Sequence, residues 1–165
     1  MTLGFSQYIN GKSTYFPEKI WAGIKDHEVS VELSNYLNSP YSTGKSILDV
    51  KPKYHTIRED KNNRWQPGKQ IHFVINNRTK NRLQFAPIIK VKSIQKIVIK
   101  PDCRFVEYEG TELIQSPVIV DNRSLKASEI KTLAINDGFD SVDDFFTWFN
   151  KGFTGKIIHW TNLNY

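Results

Sequence analysis

Residues 88–100 read Ile88-Ile89-Lys90-Val91-Lys92-Ser93-Ile94-Gln95-Lys96-Ile97-Val98-Ile99-Lys100, and the alternation within that run decides the fold class. Ile89, Val91, Ile94, Ile97 and Ile99 are interleaved with Lys90, Lys92, Gln95, Lys96 and Lys100, the period-2 pattern of a half-buried strand. The phase slips near Ser93, which predicts a bulge or bend of the kind a curved sheet needs. Upstream, the Pro67-Gly68 turn signal introduces a strand over 70–75, and a short extended segment covers 54–58. Polar connections fill 60–68 and 76–82. Downstream, 105–109 and 114–120 predict two further strands joined by a Glu109-Gly110-Thr111 turn, and 156–161 predicts a last strand.

Helical signals flank this strand-rich centre. Pro17 suits the first turn of a helix over 16–24, with Ile20, Trp21 and Ile24 on one face. A second helix over 128–136 is closed by Gly138. Ser141 then caps a third, with Asp143 and Asp144 in its positive first turn and Phe145, Phe146, Trp148 and Phe149 as its buried material. Trp21, Trp148 and Trp160 are expected in the core. Residues 25–50 lose periodicity and gain Asn, Ser, Pro and Gly, so they read as an insertion or long loop with one helical turn near 31–37. The order of elements predicts one α+β domain over 1–165, a small curved antiparallel barrel with helices packed on it.

Charge is distributed unevenly. The 165 residues carry 23 Lys and Arg against 17 Asp and Glu, a net +6. Within 51–104 fourteen cations stand against Glu59, Asp60 and Asp102, a balance of +11, while the remainder holds nine against fourteen, or −5. Such a concentration is the electrostatic signature of a polyanion binder. No apolar run reaches the 18 residues a membrane span needs, and residues 1–12 lack a secretory leader. Cys103 is the single cysteine, which excludes an internal disulfide and a cysteine-based zinc site. The expectation is a soluble, cytoplasmic protein.

Several motifs fail on inspection. Ser42-Thr43-Gly44-Lys45-Ser46 mimics a phosphate loop, but Ser39 stands where its first glycine belongs and Pro40 interrupts it. His27, His55, His72 and His159 have no ligand spacing, so neither a metal nor any other cofactor is expected. One motif holds. Lys53-Tyr54-His55-Thr56-Ile57-Arg58 spaces its functional groups as K-x-x-T-x-R. In an extended chain Thr56 and Arg58 project to one side, and a turn at Pro52-Lys53 would bring the Lys53 amine to the same patch. Arg64-Trp65 adds a guanidinium beside a stacking surface, and Lys69 follows, a combination suited to unstacked bases and phosphate.

These segments resemble the ASCH domain, a family of the PUA-like β-barrel superfamily with bacterial and phage members. The resemblance is carried by Thr14-Tyr15-Phe16-Pro17-Glu18-Lys19-Ile20-Trp21-Ala22-Gly23, by Lys53-x-x-Thr56-x-Arg58 and by Arg64-Trp65-Gln66-Pro67-Gly68-Lys69. Leu133 to Phe139 and Ile157-Ile158-His159-Trp160 extend it, leaving out 25–50. It implies a PUA-like barrel whose cleft, lined by the Lys-Thr-Arg segment, is associated with RNA or nucleobases. Some small ASCH proteins are amidohydrolases that deacetylate N4-acetylcytidine with the motif lysine and threonine and a strand glutamate. That role would fall here to Lys53 and Thr56. The family's leading glycine is Lys51 here, and the strand expected to hold the glutamate carries Lys90 and Lys92 instead. A substitute would have to come from Glu59, Asp60 or Glu107.

Three functions follow as expectations. The first is an RNA-binding module in which Lys53, Arg58, Arg64 and Lys69 meet phosphate or base edges, Thr56 supplies a hydroxyl, and Trp65 or His55 stacks. The second is an amidohydrolase of an acylated nucleoside, with Lys53 partly desolvated and Thr56 or backbone amides supporting the oxyanion. The third is a protein-interaction module docking through 25–50.

Overall fold

The hydrogen-bonding demand of these strands is met by two open sheets. The computed structural model describes residues 1–9, 11–24, 31–101 and 116–165. Its strands are β1 (Thr2–Gly4), β2 (Tyr8–Ile9), β3 (Lys12–Ser13), β4 (His55–Arg58), β5 (Gln70–Ile75), β6 (Leu83–Gln84), β7 (Ile89–Lys90), β8 (Ser93–Ile99), β9 (Val118–Val120), β10 (Arg123–Ser124) and β11 (Phe153–His159). Its helices are α1 (Phe16–Gly23), α2 (Val31–Leu37), α3 (Ala127–Asn136) and α4 (Val142–Trp148). In the first sheet β5 pairs with β1 in parallel and with β6 and β7 antiparallel. The second is antiparallel in the order β10-β9-β8-β11-β4. β2 and β3 form a separate hairpin.

The α+β class stands, but the closed PUA-like barrel does not: no ladder joins the two sheets into a ring among the described residues. The phase slip near Ser93 marks a corner. Val91 N donates to Lys69 O on the first sheet, and the next residue, Lys92, donates to His159 O on the second. At the opposite corner closure fails because α1 and the end of α3 take the donors beside β4. Lys53 N donates to Lys19 O of α1, Tyr54 N to Asn136 O of α3, and Ile57 N to the Asp137 carboxylate (2.7, 2.9 and 3.2 Å). Covering an edge with helices is an alternative to closing it. A side chain spans the gap, Arg58 Nη2 donating to Gly4 O at 2.9 Å.

Two apolar clusters fill the interior. One gathers Leu3, Phe5, Trp21, Phe73, Phe85 and Trp160, the other Ile57, Ile97, Val120, Leu133, Phe145 and Ile157. β11 feeds both by alternation, Ile158 into the first and Ile157 into the second. Full burial of each such side chain stabilises the fold by roughly 1.5–3 kcal/mol.

The helices form where caps and faces dictate. α1 has Pro17 in its first turn, and the Trp21 indole donates to Phe85 O at 2.7 Å. α4 has the Ser141 hydroxyl accepting from Asp144 N at 3.0 Å. Its buried stripe is Phe145 and Phe149, so Trp148, expected in the core, is left 52% exposed. Of the segment read as an insertion, Lys25 to Ser30 lie outside the described residues, while α2 sends Leu33 and Tyr36 into the core. The Tyr36 hydroxyl donates to Glu18 Oε1 at 2.7 Å. The strand expected over 105–109, the turn after it and Glu107 also lie outside the described residues. No helix among those described is long and apolar enough to cross a membrane.

Candidate functional site

Lys53 ends the approach to β4 with its amine pointing inward, and the residue is only 1% exposed. The amine donates to the Asp137 carboxylate at 2.8 Å and to the Asp137 backbone oxygen. It also lies 4.9 Å from the centre of the Phe16 ring and 6.0 Å from that of Phe5. Asp137 is the C-cap of α3, where the helix dipole disfavours a carboxylate, so a buried cation beside it answers a local need. Gly138 follows with φ +92°, and a Cβ there would lie 2.9 Å from Phe16 Cε1 and 3.1 Å from Lys53 Cδ. Glycine is therefore required twice over, by conformation and by space.

The chain of polar contacts continues behind Asp137. His55 Nδ1 faces Asp137 Oδ1 at 3.5 Å, an electrostatic contact too long for a formed hydrogen bond. His55 Nε2 meets the Tyr165 hydroxyl at 2.8 Å, and Asn136 Nδ2 donates to the same hydroxyl at 2.9 Å. In the tautomer protonated on Nδ1, the imidazole turns its N–H toward Asp137 and leaves Nε2 to accept from the Tyr165 hydroxyl. His159 packs against His55 with ring centres 5.2 Å apart, and neither of its nitrogens has a partner among the described residues.

Burial sets the charge states. It draws the Lys53 amine down to about 8, although Asp137 pulls the other way. Burial pushes the Asp137 carboxyl up, but Lys53 and His55 outweigh it, and the group sits below the usual carboxylate range. Burial lowers His55 against the pull of Asp137, and lowers His159 to about 3 with the help of His55. At neutral pH this is an ammonium–carboxylate pair backed by two neutral imidazoles, a network that joins α3, β4 and β11.

The motif's donors do converge, but on the protein itself. Thr56 and Arg58 share a face of β4, opposite Ile158 and Lys156 of β11. Arg58 lies 5.2 Å from the centre of the Phe5 ring, and Lys53 Nζ lies 6.0 Å from the same ring. Lys53, His55 and Thr56 are buried, so they do not line an open hollow as expected; Phe5, Phe16 and Gly138 fill it. Trp65 is core at 5% exposure and leaves no free ring to stack a base. Arg64 and Lys69 are exposed, apart from the buried group. Of the substitute carboxylates, Asp60 accepts from Arg64 N, Trp65 N and Lys156, and Glu59 pairs with Lys61 at 3.1 Å. The carboxylate that reaches Lys53 is Asp137, which the motif spacing did not single out. Its signal was an acidic residue at a helix C-terminus, just before the Gly138 stop.

A second feature is electrostatic. Residues 61–100 contain ten Lys and Arg and no Asp or Glu. Among the described residues only Lys61 of the ten pairs with a carboxylate; Arg64, Lys69, Arg78, Lys80, Arg82, Lys90, Lys92, Lys96 and Lys100 are all exposed. The β5–β6 connection presents Arg78, Lys80 and Arg82 beyond one end of β5, while Lys69 and Lys90 flank the other, Lys90 in register with Gln70. Six strand residues between them span roughly 20 Å. Left-handed backbone at Asn76 (φ 51°) and Arg78 (φ 65°) turns the connection back, and the Thr79 hydroxyl donates to Asn76 O at 2.8 Å.

Among the described residues no group of three or more His, Cys, Asp and Glu is placed to hold a metal ion. The chain matches no family model, no curated protein and no solved structure.

Proposed function

We propose that this protein binds RNA through the exposed cations of 61–100, with phosphate as the group chiefly contacted. The observation that carries the reading is the run of forty residues with ten positive charges and no negative one. Cations free of carboxylate partners are available to displace the counterions condensed on a polyanion. With Trp65 and His55 buried, the reading gives weight to phosphate contacts over base stacking, and hence to weak sequence preference. A cytoplasmic setting, where RNA is met, goes with it. The amidohydrolase alternative gains a carboxylate beside its lysine, but Lys53 and Asp137 are spent on each other and sealed behind Phe16 and Gly138. That arrangement favours a structural role for the pair.

Fluorescence anisotropy of a labelled single-stranded RNA, titrated at several salt concentrations, tests the proposal. Log affinity should fall against log salt with a slope of about 0.7 per phosphate neutralised. The triple change Arg78→Gln, Lys80→Gln, Arg82→Gln should lower that slope by up to about 2. No binding at low salt, or a slope untouched by the triple change, overturns it.

A further inference from the structure

A cleft of about 520 Å³ opens between β3, the start of α1 and the α3–α4 segment, within the range of about 300–1,000 Å³ usual for small-molecule sites. None of the cations of 61–100 lines it. Its apolar walls are Phe16, Phe139 and Trp148. Trp148 stands half out of the protein at 52% exposure, whereas Trp21, Trp65 and Trp160 are 1, 5 and 4% exposed. An indole left open beside a cleft offers a stacking face with no protein partner.

The charges around this cleft cancel. Lys19, its amine bound to Gly138 O and to Asp140 Oδ1 at 2.8 Å each, forms a pair complete in itself. That leaves one cation and one carboxylate from different elements, Lys12 of β3 and Asp144 of α4. Lys12 has no carboxylate partner among the described residues, and Asp144 accepts only from the Ser141 hydroxyl at 2.7 Å. The Ser13 hydroxyl in the same wall is buried with no hydrogen-bond partner, an arrangement that native interiors avoid unless something completes it. A polyanion gains nothing from a wall whose charges cancel, and a neutral ring would leave both unpaired charges unanswered.

We infer that the cleft binds a zwitterion with an aromatic body, a free aromatic amino acid or a close analogue. Its carboxylate meets Lys12 and the Ser13 hydroxyl, its ammonium meets Asp144, and its ring lies on Trp148. The inference is independent of RNA binding, because the two sites share no residue.

The test is a titration of the full chain with L-phenylalanine, followed by tryptophan emission and by calorimetry. Trp148 is the exposed indole, so binding should give a saturable blue shift that Trp148→Phe abolishes. Phenethylamine, lacking the carboxylate, and 3-phenylpropionate, lacking the ammonium, should each bind about 10-fold more weakly, as expected for loss of one charged hydrogen bond. Lys12→Met and Asp144→Asn should weaken phenylalanine to a similar extent while leaving RNA affinity unchanged. Lys12 is exposed, so its variant keeps the fold. No saturation below about 10 mM, binding of either single-charge analogue as tight as that of phenylalanine, or tighter binding of a neutral nucleoside than of phenylalanine would each overturn the inference.

Discussion

Replacing Asp137 by asparagine would remove one charge from the interior while keeping the side-chain shape. The amide oxygen can still accept from Ile57 N, which now donates to Asp137 at 3.2 Å, so the loss falls on Lys53. That amine, 1% exposed, shares the same oxygen at 2.8 Å. It would keep a neutral acceptor, the backbone oxygen of residue 137 and the face of Phe16 at 4.9 Å, but lose the negative charge that balances its own. Breaking a buried pair by removing one partner costs about 3–5 kcal/mol. The lower end applies here, because an amine already drawn down to about 8 can shed its proton at moderate cost. Taking about 3 kcal/mol, and about 2–4 °C per kcal/mol for a chain of this size, Asp137→Asn should lower Tm by about 6–12 °C. Adding Lys53→Met removes the orphaned cation, so the double variant should be less destabilised than the sum of the single changes by about 2–3 kcal/mol. Urea unfolding followed by tryptophan fluorescence measures all four corners of the cycle. An Asp137→Asn variant within about 0.5 kcal/mol of the parent, or a cycle that closes additively, would refute the coupling.

Other consequences are as direct. Lys53 holds its native proton to about 8 against 10.5 unfolded; the unfolded chain therefore binds more protons across that window and stability rises with pH through it. Urea midpoints between pH 8 and 10 should climb in the parent and stay flat in Lys53→Met. His159 is held neutral to about 3 against 6.5 unfolded, so its contribution is present above pH 6.5 and lost as the pH falls. Tm should drop between pH 6.5 and 4, and His159→Leu, which also deletes two unpartnered nitrogens, should flatten that drop. Gly138→Ala combines φ +92° with a 2.9 Å approach to Phe16 and should cost about 2–3 kcal/mol; a change under about 0.5 kcal/mol would mean that α3 ends differently.

Some of this architecture was legible in the residues and some was not, for identifiable reasons. β5 was readable to its bounds, because the Pro67-Gly68 turn and the alternation beyond it are both local signals. The corner between the sheets was readable as a phase slip at Ser93. β1, β2 and β3 were not, since two or three residues are too few to carry a period. Closure is not legible for the same reason: whether β4 meets another strand or α1 and the end of α3 depends on contacts the local pattern does not encode. K-x-x-T-x-R spacing does place Thr56 and Arg58 on one face. It says nothing of whether that face is open, and the side chains that fill it, Phe5 and Phe16, lie some forty to fifty positions upstream.

β11 sits between β8 and β4 although it is the last of the described strands in sequence. Its partners are far behind it: Lys156 faces Arg58, and Phe153 faces Ile99. Pairings of such separation are slow to form, because chain closure must precede any reward from contact. During synthesis, until 153–159 has left the ribosome, β8 and β4 each present an unpaired edge, and Ile57 and Ile97 lack their neighbour Ile157. The nascent chain thus passes through an interval in which its own missing strand is what a stray β-segment would imitate, and assembly depends on how soon the rightful one arrives.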